Sequence, residues 1–289
     1  MDTEKCRALL EALETGSITA AAGRLGYTIS GISKMIAALE QEFGFVLVHR
    51  GKSGVTPTEE CLQLLPHLKR LQEDEEKCSQ VAAQIHGIRR GRVRFGTSYN
   101  TLYKKLTGII ADFSARYPDI QIEIKEATSS DLYHMLEQRQ IDICFASRRE
   151  GNVDYQAVGR DELVLWLPKD HKGMEGKRYP LKHLEQESYI EIHPGVETDN
   201  SRILKANQIR TNSKFSTSDV GAALSMVEAG LGVAMVNQLL ADRVHGSSIQ
   251  TVQLEPRQYI ETGIASLHNL GPAAIYFREF LIKRLMEES

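Results

Sequence analysis

The chain has 289 residues, enough for one small and one large domain. Hydrophobic residues make up 42% and charged residues 25% of it, which are ordinary fractions for a globular protein. No apolar run approaches the roughly 20 residues of a membrane helix, and the first residues lack the basic start and apolar core of a secretion signal. We therefore expect a cytoplasmic protein with no membrane partner. The formal net charge of −3 neither indicates nor excludes binding to nucleic acid.

Cysteines and catalytic motifs give no sign of metal or enzyme chemistry. The four cysteines form no C-x-x-C pair and have no histidine at metal-ligand spacing beside them, so we expect free, mostly buried thiols. They are Cys6, Cys61, Cys78 and Cys144. The sequence contains no G-x-S-x-G, H-E-x-x-H, P-loop or G-x-G-x-x-G motif. It therefore predicts no catalytic residue, no metal and no cofactor.

The segment from Ser17 to Glu42 predicts two short helices joined by a tight turn. Ser17 is a suitable N-cap for the first helix, and Thr28 is one for the second. Gly26 stands where a helix ends in a left-handed residue, a conformation that glycine adopts at little cost. The pattern is that of a helix-turn-helix, whose second helix enters the DNA major groove. A plain helical hairpin in an all-helical core is the alternative.

The second helix has one apolar and one polar face. Its apolar residues recur at i, i+4 and i+7, as Ile32, Ile36 and Leu39. The opposite face carries Ser30, Ser33, Lys34 and Met35. A preceding amphipathic helix, with Leu9, Leu10 and Leu13, completes the three helices that such a unit needs.

Two short strands are predicted after the helices, over 46–50 and 55–57, around a basic tip at 51–54. A wing of this kind lies naturally along a phosphate backbone. We expect Thr28, Ser30, Ser33 and Lys34 to contact DNA from the second helix, and Arg50 and Lys52 to hold phosphates from the wing.

These motifs resemble those of the LysR-type transcriptional regulators. The matching residues are Gly16-Ser17-Ile18, Ala21-Ala22, Leu25, Ser33, Leu39-Glu40, Gly44 and Leu47-Val48-His49-Arg50. The match is dense over about the first 60 residues and continues more weakly to the C-terminus. The chain departs from the family where Ile29 replaces a common glutamine and Val48 a phenylalanine. Cys61 and Asn237 stand where glycine and proline are usual.

The resemblance implies an α+β multidomain protein. It would have an N-terminal winged helix-turn-helix over 1–58, a linker helix and hinge over 59–90, and a two-lobed α/β domain like the periplasmic binding proteins over 91–289. The expected partners are double-stranded DNA, a small-molecule effector and further copies of the chain, as a homodimer or homotetramer. Effector binding between the lobes would change the spacing of the DNA-binding heads through the linker helix.

The linker helix shows a heptad seam with steps of three and four residues. Its members are Cys61, Leu64, Leu68, Leu71, Glu75, Cys78, Ala82 and Ile85. Such a narrow seam predicts a helix that pairs two copies of the chain, the alternative being packing against its own core. Two glycines and several arginines over 86–92 then indicate a hinge.

From Val93 onward, short apolar strands alternate with helices, which predicts a parallel sheet with covering helices. Lobe I would comprise about 91–161 and 266–289, and lobe II about 162–265. The cleft between two such lobes is the natural place for a ligand.

Four polar loops are predicted to border this cleft, and hydroxyls and amides at helix N-termini suit a small organic anion. The candidate effector-binding residues are Ser98, Tyr99, Asn100, Thr101, Thr128, Ser129, Asn200, Ser201 and Thr217. Each has helix capping as a simpler explanation. Two other functions stay open: a cytoplasmic solute-binding protein whose N-terminal helices serve oligomerisation, and an α/β enzyme with a helical extension.

Overall fold

The structure is a computed structural model that describes residues 2–51, 54–85, 89–171, 178–244 and 248–287, with Asn100 described by its backbone alone. Lys52 and residues 86–88 of the predicted hinge lie outside the described residues. The chain divides into two compact units, residues 1–91 with 271–273 and residues 92–270 with 274–289.

Three helices form the N-terminal unit's head: α1 (Thr3–Thr15), α2 (Ile18–Leu25) and α3 (Ile29–Phe43). The capping predictions are confirmed. The Ser17 hydroxyl accepts a hydrogen bond from the Ala20 amide at 3.3 Å, and the Thr28 hydroxyl accepts one from the Gly31 amide at 3.0 Å. Gly26 ends α2 with φ of 72°. These local signals fix where each helix begins and ends.

The apolar faces of the three helices share one core. Ile32, Ile36 and Leu39 are fully buried there beside Leu9 of α1. One assignment from the sequence was wrong: Met35 is half-buried and packs against this core rather than lying on the polar face. The apolar stripe of α3 is wider than three residues suggest, because a flexible thioether fills gaps at its edge.

The wing consists of β1 (Val48–Gly51) and β2 (Gly54–Pro57), paired antiparallel. The Val55 amide donates to the Gly16 carbonyl at 2.9 Å, which fastens the wing to the turn between α1 and α2. Gly54 has φ of +97°, and a Cβ there would lie 2.5 Å from the Gly16 carbonyl oxygen. Both the backbone conformation and the close approach therefore require glycine.

Helix α4 (Glu59–Ile85) follows, and only the second half of its seam is exposed. Cys61 and Leu68 are buried in the head's own core, with Leu64 and Leu71 partly buried against it. The prediction that the whole seam pairs two chains was therefore wrong for its first half, because α4 packs on α1 there. Beyond it the seam residues Cys78, Ala82 and Ile85 are exposed.

The second unit contains most of the strands. Its first part has β3 (Gly91–Thr97), α5 (Tyr103–Arg116), β4 (Ile120–Glu126), α6 (Ser129–Glu137) and β5 (Ile143–Ser147). Strand β6 (Asp154–Pro168) leads to β7 (Arg178–Pro180), β8 (Ser188–Ile192), α7 (Asp199–Ala206), β9 (Asn212–Thr217), α8 (Val220–Glu228), β10 (Ala234–Asn237) and α9 (Gln238–Ala241). Strand β11 (Ile249–Ser266) returns to α10 (Pro272–Glu287).

The sheet is mixed rather than parallel, which corrects the sequence-based expectation. Its order is β10-β6-β11-β5-β3-β4, with β7 paired to β11. Strands β6 and β11 pair antiparallel from Asp154 opposite Ser266 to Pro168 opposite Ile249. They cross between the lobes in opposite directions, which makes the pair antiparallel. Strands β3 and β5, β7 and β11, and β8 and β9 pair parallel.

Strands β6 and β11 connect two lobes. Lobe I contains β3–β5, α5, α6 and α10, and lobe II contains β7–β10 and α7–α9. Each has its own core, that of lobe I around Leu132 and Ile141 and that of lobe II around Leu163 and Met235. Residues 262–266 of β11 pair with β5 of lobe I, so the chain enters lobe I before the predicted boundary at 265/266.

Replacement of Gly54 tests the attachment of the wing. We expect Gly54→Ala to lower the free energy of unfolding of the N-terminal unit by about 2–3 kcal/mol, because of the left-handed backbone and the clash with Gly16. Gly23→Ala is the matched control, because Gly23 lies in α2 with open space around it. It should raise the stability by about 0.5–1 kcal/mol. Denaturant unfolding of the full chain measures both, and equal stability of the two variants would contradict this role of Gly54.

Candidate effector cleft and DNA-binding face

The N-terminal half of α3 presents a polar face to solvent. Thr28, Ser30 and Lys34 are exposed, and Ser33 is half-buried. The Thr28 hydroxyl, which caps the helix, also lies 3.2 Å from the Ser30 hydroxyl. The side chains predicted to meet base edges are therefore grouped at the end of the helix that a helix-turn-helix inserts into the groove.

Two further features belong to this face. Arg50 is exposed on β1 of the wing. Ile29, the first residue of α3, is 53% exposed. An apolar group at this point of a recognition helix is suited to contact with a thymine methyl group. The sequence reasoning noted Ile29 only as a departure from the family.

A cavity of about 440 Å³ lies between the two lobes. Six predicted residues line it: Ser98, Tyr99, Thr101, Thr128, Ser129 and Asn200. Ser201 instead lines a separate cavity of about 610 Å³ within lobe II, and its hydroxyl completes the capping box of α7. The Thr217 hydroxyl accepts a hydrogen bond from the Asp219 amide at 3.0 Å and does not line either cavity. The side chain of Asn100 is outside the described atoms.

An ion pair joins the lobes at this cavity. Arg149, just after β5 of lobe I, lies 2.8 Å from the Asp199 carboxylate at the start of α7 in lobe II. The Arg149 side chain is 5% exposed and that of Asp199 19%. Arg149 also donates to the Ser147 and Ser130 hydroxyls at 2.8 and 2.9 Å. A guanidinium this far from water needs such partners, because an unpaired buried charge is costly.

Serine hydroxyls extend the network along lobe I. The Ser147 hydroxyl lies 2.7 Å from one Asp199 carboxylate oxygen and 2.8 Å from the Ser129 hydroxyl. Ser129 lies 2.9 Å from Ser98. The Ser130 hydroxyl donates to Glu197 of lobe II at 3.1 Å, which makes a second link between the lobes. The chain of hydroxyls therefore runs from the ion pair to the predicted Ser98–Tyr99 loop.

Tyr99 and Tyr103 line the cavity, and the buried acid Asp161 is bonded to the lining residue Asn237. Burial raises the pKa of Tyr99, and the nearby Asp199 and Asp161 carboxylates raise it further. Burial also raises the pKa of Asp161, which accepts hydrogen bonds from the Asn237 side chain and the Leu239 amide. Burial and the Glu126 carboxylate raise the pKa of Tyr103 to about 12. Both tyrosines therefore stay neutral at physiological pH.

The sequence reasoning missed Arg149, Ser147 and Asp161, and it expected Asp199 only as part of the polar loop at 199–201. A usable signal existed for Arg149, because it lies two residues beyond the carboxyl end of the buried strand β5, and ligands of such sheets bind outside the carboxyl ends of the strands. No comparable signal identified Asp161, since its burial depends on strand β6 continuing through both lobes.

The described residues were also compared with the requirements of a metal site, a membrane-spanning helix and a reactive thiol. No three His, Cys, Asp or Glu side chains gather into a metal-binding set among the described residues. The described helices include none long and apolar enough to span a bilayer. The four cysteines are free, Cys78 is exposed, and burial raises the pKa of Cys6, Cys61 and Cys144. A raised thiol pKa disfavours the reactive thiolate at these three positions.

A winged helix-turn-helix joined to a domain with a ligand-sized cleft defines the class of ligand-responsive DNA-binding regulators. Residues 3–62 match the profile of the bacterial regulatory helix-turn-helix protein, lysR family, and residues 86–286 match the LysR substrate binding domain. The chain belongs to the LysR family of transcriptional regulators.

Relatives and solved structures of this family match nearly the full length of the chain. The uncharacterized HTH-type transcriptional regulator YvbU of Bacillus subtilis is 25% identical over 283 residues, covering 96% of this chain and 97% of that protein. A full-length OxyR variant from Pseudomonas aeruginosa superposes with a TM-score of 0.76 at 17% identity, covering 99% of this chain and 98% of that one. Full-length CbnR, solved as a complex with its target DNA, superposes with a TM-score of 0.61 at 18% identity, covering 98% of this chain and 100% of that one.

Ser147 tests the hydroxyl network. Because it is fully buried and bonded to Arg149, Asp199 and Ser129, we expect Ser147→Ala to lower the unfolding free energy by about 1–3 kcal/mol. Ser213→Ala, on the exposed strand β9, is the control and should stay within about 0.5 kcal/mol of the parent. Denaturant titration of the full chain gives both values, and a Ser147→Ala variant as stable as the control would show that the network does not stabilise the domain.

Proposed function

We propose that this regulator reads its operator with the N-terminal half of α3. Thr28, Ser30, Ser33 and Lys34 would contact base edges and adjacent phosphates in the major groove. The observation that carries this proposal is the division of α3 into a buried face and a solvent face, with Ser30 and Lys34 exposed at the end that enters the groove. Arg50 and Lys52 of the wing would hold phosphates, and Lys52 is included from the sequence alone.

The effector binds, in this proposal, in the cavity between the lobes. Ser98, Tyr99, Thr101, Thr128, Ser129 and Asn200 line that cavity, and Arg149 supplies the positive charge that a small organic anion needs. Asn100, Ser201 and Thr217 remain sequence-based candidates; of these, the Ser201 hydroxyl accepts a hydrogen bond from the Thr198 amide and the Thr217 hydroxyl accepts one from the Asp219 amide. Ligand contacts on both lobes would alter the equilibrium between lobe arrangements.

Pairing of two chains is assigned to the exposed second half of α4. Ile85 is 79% exposed and Val81 46%, and both lie on or beside the heptad seam. Burial of such a strip against a second α4 would bring two heads to two half-sites of a dyad operator. Because its target is DNA, we place the protein in the cytoplasm, and we assign it no catalytic role.

A double variant tests base readout. Ser33→Ala with Lys34→Ala should weaken binding to a duplex selected in vitro by the parent protein by about 100-fold or more, because base and phosphate contacts are lost together. Ser213→Ala with Lys214→Ala repeats the same pair of changes at two exposed residues of β9 and should leave binding unchanged. Gel shifts at physiological salt measure both. Unchanged binding of the α3 variant, with its oligomeric state intact, would show that another surface reads the DNA.

A charge in the α4 seam tests pairing. Ile85→Glu should raise the dimer dissociation constant by about tenfold or more, because it places a carboxylate in an apolar contact. Gln63→Glu introduces the same charge on α4 away from the seam and serves as the control. Sedimentation equilibrium reports the dissociation constants. Equal constants for the two variants would exclude the exposed half of α4 as the pairing surface.

A further inference from the structure

Three acids, one arginine and His193 line the cavity between the lobes, and of the acids Glu197 also lies 4.0 Å from the Arg202 guanidinium. The charged lining residues are Arg149 and the carboxylates of Glu126, Glu197 and Asp199. A further acid, Asp161, is 3% exposed and accepts hydrogen bonds from the side chain of Asn237, which lines the cavity, and from the Leu239 amide. This surplus of acids favours a ligand that carries a positive charge in addition to its anionic group.

Arg149 and Asp199 are charge partners, and they come from opposite lobes. A ligand that binds between the lobes against Arg149 competes with Asp199 for the guanidinium. A simple carboxylate would compensate Arg149 and leave Asp199 without its cation. A simple amine would compensate Asp199 and leave the 5% exposed Arg149 side chain unpaired. Either result is costly in a desolvated site, whereas a ligand with both charges compensates both residues.

The Tyr99 hydroxyl supplies an independent indication. Tyr99 lines the cavity and is 6% exposed, yet its hydroxyl has no hydrogen-bond partner among the described residues. Buried hydroxyls are nearly always hydrogen-bonded, so an unpartnered one at a cavity wall marks the position of a missing polar group. Burial raises the pKa of this hydroxyl most, the Asp199 and Asp161 carboxylates raise it further, and the Arg149 guanidinium lowers it by less, so the surrounding charge favours a cationic donor.

We propose that the effector is a small zwitterion, of which an α-amino acid is the simplest form, inserted between Arg149 and Asp199. Its carboxylate takes the place of Asp199 on the Arg149 guanidinium. Its ammonium group donates to Asp199 and to the Tyr99 hydroxyl. The Arg149–Asp199 pair in the free protein is then an internal substitute for the ligand's own two charges. This inference rests on the proposed function of the cavity as the effector site.

A ligand panel on the full chain tests the charge requirement. The probes are the twenty common L-amino acids and, for each that raises the melting temperature, its des-amino carboxylic acid and its decarboxylated amine. We expect at least one amino acid to bind, and both of its analogues to bind about 30-fold more weakly or worse, because each leaves one buried charge unpaired. If no amino acid raises the melting temperature, the inference is wrong.

The Asp199→Asn variant gives a sharper test, because it keeps the side-chain shape and removes the charge. The amino acid should lose about 30-fold in affinity, whereas the des-amino acid should change by less than about threefold or bind more tightly. Asp119→Asn, at an exposed position outside the cavity, is the control and should leave both affinities unchanged. Isothermal titration supplies the dissociation constants. Equal losses for both ligands in Asp199→Asn would overturn the inference.

Arg149→Lys separates failure of this inference from failure of the proposed site, and Ser98→Ala replaces it if the lysine variant does not fold. If the des-amino acid binds the parent as tightly as the amino acid and is weakened by this variant, the zwitterion is excluded and the cavity remains the effector site. If an amino acid binds but responds to neither Asp199→Asn nor this variant, it binds elsewhere, and both proposals fail.

Discussion

The ion pair between Arg149 and Asp199 is the interaction on which the effector domain depends. It joins the two lobes across a cavity, at 2.8 Å and with the Arg149 side chain 5% exposed. A charge so far from water must keep a partner, so the lobes cannot separate unless another group takes over that role. This requirement links ligand chemistry to lobe arrangement. A ligand that compensates both charges can replace the pair, and a ligand that compensates one cannot do so without a large loss of binding energy.

Two paired strands connect the lobes that carry this ion pair. Strands β6 and β11 run antiparallel through both lobes, and Asp161 of β6 bonds to Asn237, which lines the cavity. The lobes have separate hydrophobic cores, which is the arrangement found in proteins whose lobes close around a ligand. In the N-terminal unit, backbone contacts likewise position the wing. Gly54 and Val55 contact the Gly16 carbonyl, and this contact holds the short hairpin in place.

Features decided by neighbouring residues could be predicted from the sequence, whereas features decided by contacts between distant residues could not. The caps at Ser17 and Thr28 were correct because a cap is decided by neighbouring residues. Strand β9 was missed because Asn212–Thr217 contains one apolar residue and shows no alternation. The expectation of a parallel sheet was wrong because strand directions depend on how the chain crosses between the lobes, which hydrophobic periodicity does not reveal. Six of the nine cleft candidates line the cavity, yet the ion pair was missed, since Arg149 and Asp199 meet across 50 residues of sequence and two lobes.

The most direct measurement is the distance between Arg149 Nη1 and Asp199 Oδ1 in a crystal structure of the full chain with the tightest-binding amino acid from the panel. We expect the 2.8 Å pair to open, with the ligand carboxylate about 3 Å from the guanidinium and the ligand ammonium group against Asp199. An amino acid bound in the cavity while Arg149 and Asp199 remain in contact with each other would contradict this expectation.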